Sequence, residues 1–187
     1  VIGTGRIGKN VVKIANGFGM KVLAYDVYPD AAFAKEQNFE YVELQNLLSG
    51  SDIVTLHAPY NEKSHHIINN GNIGQMKKGA YLINTARGEL VETDALVRAL
   101  EKGDIAGAGL DVLEGERQLK EEAQLLRAGA EIADYRTLFE DHVLMVMAAV
   151  VLTPHIAFDT NEWVREILET TAKTILAFAG GNPENII

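Results

Sequence analysis

The chain contains no cysteine, which excludes disulfide bonds and thiolate metal sites at once. Proline is scarce, four in 187 residues, and no Pro/Ser-rich stretch marks a linker between domains. No uninterrupted apolar run approaches the ~18 residues of a membrane-spanning helix, and no charged-then-apolar leader precedes the first motif. Positive charge is in deficit. Lys and Arg total 17 against 26 Asp and Glu, a net −9, and the resulting field repels phosphate backbones and anionic lipid. Neither nucleic acid nor a membrane is an expected partner, and the expected setting is cytoplasmic. A small anion would have to be held by local positive groups.

What is present suffices for a core. Hydrophobic residues make up 47% and charged residues 23%, an ordinary balance for a globular chain. At this length ~70% of the unfolded surface can be buried. Short β-branched or apolar runs alternate with helical patterns almost to the end, the signature of βαβ units with helices on both faces of a parallel sheet. Strands are predicted at Val1–Ile2, Val22–Tyr25, Phe39–Val42, Ile53–His57, Tyr81–Asn84, Ala106–Val112 and Val150–Thr153. Helices are predicted at Ile7–Phe18, Asp30–Gln37, Leu44–Leu48, Asn72–Met76, Thr93–Lys102 and Asn161–Ala179. Between about 116 and 141 the alternation breaks, and Leu119, Ala123, Leu125 and Leu126 suggest an inserted helix plus loop. Only two apolar residues precede the first glycine, where a strand needs about five, so natural residues are expected upstream of Val1.

GTGRIG at 3–8 follows an apolar run and opens a helical pattern. Gly3 permits the tight turn, Gly5 lets backbone amides approach a pyrophosphate, and Gly8 allows the helix to pack on the strand. The amides and dipole of that helix supply the positive potential that the net charge denies elsewhere. Eighteen positions beyond Gly8, Asp26 ends the next strand, where a carboxylate accepts hydrogen bonds from ribose hydroxyls and repels a 2′-phosphate. Val27 and Tyr28 follow in place of an arginine, so NAD is expected over NADP. The fold expected is α/β, a Rossmann-type doubly wound parallel sheet in one domain over 1–187.

Three later segments fall at the carboxyl ends of strands: INTARGELVETDAL at 83–96, GAGLDVLEGE at 107–116 and VLTPHIAF at 151–158. With LHAP at 56–59 and the closing helix, the chain resembles the NAD-binding domain of the D-isomer-specific 2-hydroxyacid dehydrogenases, in particular the D-lactate dehydrogenase branch. The resemblance implies that Arg87 binds the substrate carboxylate, that His155 is the acid/base and that Glu116 is the acidic partner of His155. It also sets Asp111 against the nicotinamide amide and Thr85 and Ala86 along its ribose. The expected cofactor-contacting set is thus Gly3, Gly5, Arg6, Ile7, Gly8, Asp26, His57, Ala58, Pro59, Thr85, Ala86, Arg87, Asp111 and His155. The residue types suit the chemistry. Reduction of a 2-oxo acid leaves an alkoxide that a histidine near neutrality can protonate, a carboxylate stabilises the imidazolium, and an arginine offers a planar fork to the substrate. Taken singly, Arg87 reads as well as a surface ion pair, Glu116 as a solvated residue and His155 as a core or turn residue.

The family's substrate domain is built mainly from chain before the dinucleotide fold, and none stands here. The expectation is therefore an NAD-dependent oxidoreductase domain, with pyruvate and D-lactate as the pair. The alternative is an isolated or regulatory NAD(H)-binding module without turnover. A homodimer paired through this domain is expected by the same resemblance. No metal is expected, because the pair His65–His66 lacks a third ligand. His65, His66 and His142 read as surface residues, His57 as support for the loop under the cofactor, and Trp163 as packing. Two departures from the family pattern are Ala148–Ala149, where proline and asparagine are frequent, and Trp163 itself. The thirty-nine residues from Glu116 to His155 are more than in many members of the family and closer to its lactate-type branch.

Overall fold

The alternating apolar runs fold as parallel strands. In the computed structural model, which describes residues 1–116, 132–182 and 184, these are β1 (Leu23–Ala24), β2 (Glu40–Tyr41), β3 (Ile53–Leu56), β4 (Ala80–Asn84), β5 (Ile105–Leu110) and β6 (Val150–Leu152). The helices among the described residues are α1 (Arg6–Gly17), α2 (Ala31–Gln37), α3 (Leu44–Gly50), α4 (Thr93–Lys102), α5 (Ile132–Val146) and α6 (Asn161–Ala179). The chain divides into two compact units, Val1–Pro154 and His155–Ile187, and the second contains α6.

β1 pairs with β2, and β3, β4, β5 and β6 follow one another in a four-stranded sheet, all parallel. Ile2 joins the two sheets by bridging to Tyr25 on one side and Leu56 on the other. Its N–H donates to Thr55 O at 2.9 Å and its carbonyl accepts from His57 N at 2.7 Å, while Tyr25 N donates to Val1 O at 2.9 Å. The order is therefore β2, β1, Val1–Ile2, β3, β4, β5, β6, and the direction of winding reverses between Val1–Ile2 and β3. Such a reversal opens a crevice at the carboxyl ends of the two central strands.

The predicted first strand is thus real in position but short in extent. Its two residues point to opposite sides. Ile2 enters the larger core with Leu56, Leu82, Leu96, Leu110 and Leu144, while Val1 enters the smaller one with Val12, Val22, Phe33 and Phe39. This is the period-2 alternation of a strand buried on both faces.

Other differences are local. Asn72–Met76, predicted as a helix, is a single 3-10 turn over Ile73–Gln75, because five residues cannot offset the cost of helix nucleation. α5 begins within the span of about 116–141 read as a helical insertion and runs past it to Val146, with Leu144 buried in the main core. Leu119, Ala123, Leu125 and Leu126 lie outside the described residues. α4 spans the predicted residues: Ala95, Leu96, Ala99 and Leu100 form its buried face, and Gly103 at φ +69° ends it in the left-handed conformation.

Candidate active site

The glycine-rich turn occupies the crevice. Gly3 adopts φ +88°, and a Cβ there would lie 2.5 Å from Ala58 N. At Gly8 a Cβ would lie 1.9 Å from Gly3 O, so α1 can approach the strand only without a side chain. Gly5 differs. A Cβ there meets nothing within 4 Å, so its neighbours in the protein do not require glycine. Gly5 is also the N-cap of α1, where no side chain caps the helix and no acid occupies the first turn. That end is built to receive an external anion.

Asp26 stands beside the turn. Its Oδ2 accepts from Thr4 N at 2.6 Å and Thr4 Oγ1 at 2.9 Å, and its Oδ1 accepts from Tyr28 N at 2.9 Å. Partial burial works to raise its pKa, but the hydrogen bonds from Thr4 and Tyr28 outweigh it and hold Asp26 below the usual carboxylate range. It is ionised at neutral pH. Part of its accepting capacity thus anchors the turn.

A groove of about 520 Å³ is lined by Arg6, Ile7, His57, Ala58, Pro59, Tyr60, Thr85, Ala86 and Arg87, bringing together residues predicted from three separate motifs. His57 bonds Thr55 Oγ1 through Nε2 at 2.9 Å, and burial pushes its pKa down to about 4, so its ring is neutral at physiological pH. The turn after β4 owes its shape to Asn84, which sequence reasoning passed over. Buried, it accepts from Ala86 N at 3.0 Å and donates to Arg87 O at 2.8 Å, an Asx-type turn that sends Arg87 outward. The signal was in the sequence, as an asparagine two residues before the turn.

A second hollow, about 290 Å³, is lined by Arg87, Gly88, Glu89, Val112, Leu113, Glu114 and Glu116. Arg87 therefore borders both spaces. Its turn and the Glu116 loop are locked by contact, since a Cβ on Gly88 would lie 2.1 Å from the Leu113 carbonyl. Asp111 is buried, accepts from Thr153 Oγ1 at 2.5 Å and donates its N–H to Asn84 O at 2.9 Å. Glu114, also unremarked in the sequence, accepts from Thr93 N at 3.0 Å and Thr93 Oγ1 at 2.7 Å at the start of α4. Its other oxygen meets His66 Nε2 at 2.5 Å.

His66 is accordingly no ordinary surface residue. It is half-buried, stacked on His65 with ring centroids 3.7 Å apart, and held at φ +49°. No local pattern announces the pair of His66 and Glu114, because forty-eight positions separate its members. His142 is exposed, as expected.

His155 opens the second unit at φ +55°, with its ring edge-on to Phe158 at a centroid distance of 6.0 Å. Trp163 is half-buried in the first turn of α6, its N–H donating to the capping Thr160 Oγ1 at 3.2 Å. Among the described residues, no helix is long and apolar enough to cross a membrane, and no three His, Asp or Glu gather as a metal site.

A parallel sheet with a glycine turn at its switch point, an uncapped helix behind it and an ionised acid at the end of β1 defines a dinucleotide-binding α/β domain. Residues 1–157 match the model for the D-isomer specific 2-hydroxyacid dehydrogenase, NAD binding domain, and the chain belongs to that family. A D-specific alpha-keto acid dehydrogenase of Enterococcus faecalis is 44% identical over 95% of this chain and 51% of its own length. A glyoxylate reductase of Korarchaeum cryptofilum is 38% identical over 100% of this chain and 51% of its own. The crystal structure of D-lactate dehydrogenase from Aquifex aeolicus, complexed with NAD and lactic acid, superposes with a TM-score of 0.83 at 43% identity, covering 97% of this chain and 53% of that one. The chain spans about half the length of the curated relatives it matches.

Proposed function

We propose that this chain is the cofactor half of an NAD-dependent dehydrogenase that interconverts a 2-oxo acid and a D-2-hydroxy acid, with pyruvate and D-lactate as the pair. The observation that carries this reading is Arg87, which lines both the groove of the glycine turn and the hollow of Glu116. A cationic fork at that junction would hold a small carboxylate beside the reactive end of the cofactor. The open space over Gly5, the uncapped α1 and the ionised Asp26 fit a nicotinamide dinucleotide. Gly3, Gly5, Arg6, Ile7 and Gly8 would hold the pyrophosphate, and Asp26 the adenosine ribose. His57, Ala58, Pro59, Thr85, Ala86 and Asp111 would lie along the nicotinamide half. Bound there, the dinucleotide supplies or accepts the hydride.

Arg87 would take the substrate carboxylate in a bidentate pair and polarise the neighbouring ketone. In reduction, the His155 imidazolium would give its proton to the oxygen of C2 as the alkoxide forms, leaving neutral imidazole. In oxidation the same nitrogen would take the hydroxyl proton back. Glu116 would stabilise the imidazolium form. The pyruvate assignment is supported by the lactic acid named with the Aquifex aeolicus structure and by the lactate-type spacing from Glu116 to His155. By the same family resemblance the reading extends to a homodimer in the cytoplasm.

The test is NADH oxidation on adding pyruvate to the full-length protein. Saturable turnover giving D-lactate is expected, and absence of turnover with pyruvate, glyoxylate and hydroxypyruvate would overturn the reading. Cofactor choice is tested separately by calorimetry. NADH should bind at least about tenfold more tightly than NADPH, the penalty of one like-charge contact, and Asp26→Asn should narrow that gap. Equal affinities in the wild type would remove the role given to Asp26.

A further inference from the structure

Among the described residues, Asp141 Oδ1 is the only buried side-chain polar atom without a hydrogen-bond partner. Asp141 lies on α5 at 0% exposure, on the inner side of the Glu116 loop. Its other oxygen, Oδ2, accepts from Gly115 N at 2.8 Å. A Cβ at Gly115 would come within 2.5 Å of that oxygen, so glycine lets the carboxylate reach the backbone. Glu116 follows directly.

A carboxylate in such a place is expensive. An apolar side chain of similar volume fills a buried site at less cost, and a half-satisfied polar group is worse than none. The charged groups around Asp141 do little to offset this. Glu114 on the loop and Glu140 on its own helix oppose its ionisation, and only His142 favours it. On the α4 side, Asp94 and Arg98 pair with each other, and Arg136 pairs with both Asp94 and Glu140. Burial, reinforced by Glu114 and Glu140, pushes the Asp141 carboxyl up to about 7.

The geometry points to Asp141 as a positioning residue: through the Gly115 N–H it fixes the turn that presents Glu116, and the strength of that hold follows the proton on its own carboxyl. When Asp141 is ionised the bond to Gly115 is charge-assisted and roughly twice as strong as when it is neutral. The consequence for turnover rests on the reading of Glu116 as the partner of the acid/base. The link between Asp141 and Gly115 does not.

Two measurements on the full-length protein test it. In the first, the Gly115 amide resonance is followed by NMR between pH 5 and 9. An inflection near 7 is expected, matching the carboxyl value, and it should vanish in Asp141→Asn. A Gly115 amide without an inflection would overturn the coupling. The second compares kcat for 2-oxo acid reduction in Asp141→Leu and Asp141→Asn. The leucine variant should lose about tenfold, the worth of one hydrogen bond to a charged group, with NADH affinity within about twofold. The asparagine variant keeps an acceptor oxygen, so it should recover most of the loss, and the inflection near 7 that follows Asp141 should drop out of its kcat profile, leaving only the dependence set by His155. Equal kcat in all three proteins would overturn positioning. Should the leucine variant not fold, the NMR titration and the asparagine pH profile still decide. If the wild type reduces no 2-oxo acid, the proposed function falls, and the Gly115 titration alone judges the link.

Thermal stability supplies the sign. The carboxyl ordinarily titrates near 3.8 and in the folded chain near 7. Between those values the folded state holds the extra proton, so stability falls as pH rises from about 4 to 7 and levels off above. Asp141→Asn should flatten that slope, and an unchanged slope would count against the burial of an ionisable Asp141.

Discussion

On the proposed reading, replacing His155 by asparagine should lower the rate of 2-oxo acid reduction by about 10²–10⁴, the contribution of a positioned general acid, with a far smaller effect on NADH affinity. Asparagine is the informative replacement because His155 holds φ +55°, a conformation that asparagine tolerates and glutamine or leucine does not. His155→Gln should lose the same chemistry and, in addition, some stability from backbone strain. Stopped-flow reduction with pyruvate, together with NADH fluorescence titration of both variants, separates the two effects. A fall of less than about tenfold in His155→Asn would remove the residue from proton transfer.

The second large effect belongs to the glycine turn, where two glycines of one motif should fail in different ways. Gly8→Ala puts a methyl group 1.9 Å from Gly3 O, backbone against backbone, with no flexible side chain to yield. Overpacking of that kind should cost about 3 kcal/mol or more and appear as a fall in the denaturation midpoint. Gly5→Ala places its methyl group in open space, so the denaturation midpoint should barely move. The same methyl group would stand where a pyrophosphate must approach α1, and NADH affinity should drop by at least about tenfold. Urea denaturation and calorimetric titration of both variants check this. A Gly5→Ala protein that binds NADH normally would detach the turn from the cofactor.

How far the sequence carried this description depends on the range of the interaction concerned. The glycine turn, Asp26 and α4 follow from local rules of turn chemistry, strand ends and helical period, and each lies within a few residues of its predicted place. Ile53–Leu56 and Val150–Leu152 fall within a residue of the predicted strands for the same reason. Asn72–Met76 failed because five residues do not offset helix nucleation and Asn72 and Gly74 are poor helix formers. The partners of the site were less legible. Glu114 with His66, Gly115 with Asp141 and Asp111 with Thr153 are separated by forty-eight, twenty-six and forty-two positions. No periodicity couples residues so far apart, and only the order of the strands brings them together. Asn84 alone among the supporting residues carried a local sign, its place two residues before a turn.

The contact between Gly88 and the Leu113–Glu114 peptide has a further consequence. It works as a fixed gauge block, since two stretches of main chain in van der Waals contact have no rotamers through which to adjust. The backbone spacing between Arg87 and the Glu116 loop is thereby set by main chain against main chain. One contact thus leaves adjustment of the hollow to the side chains that line it.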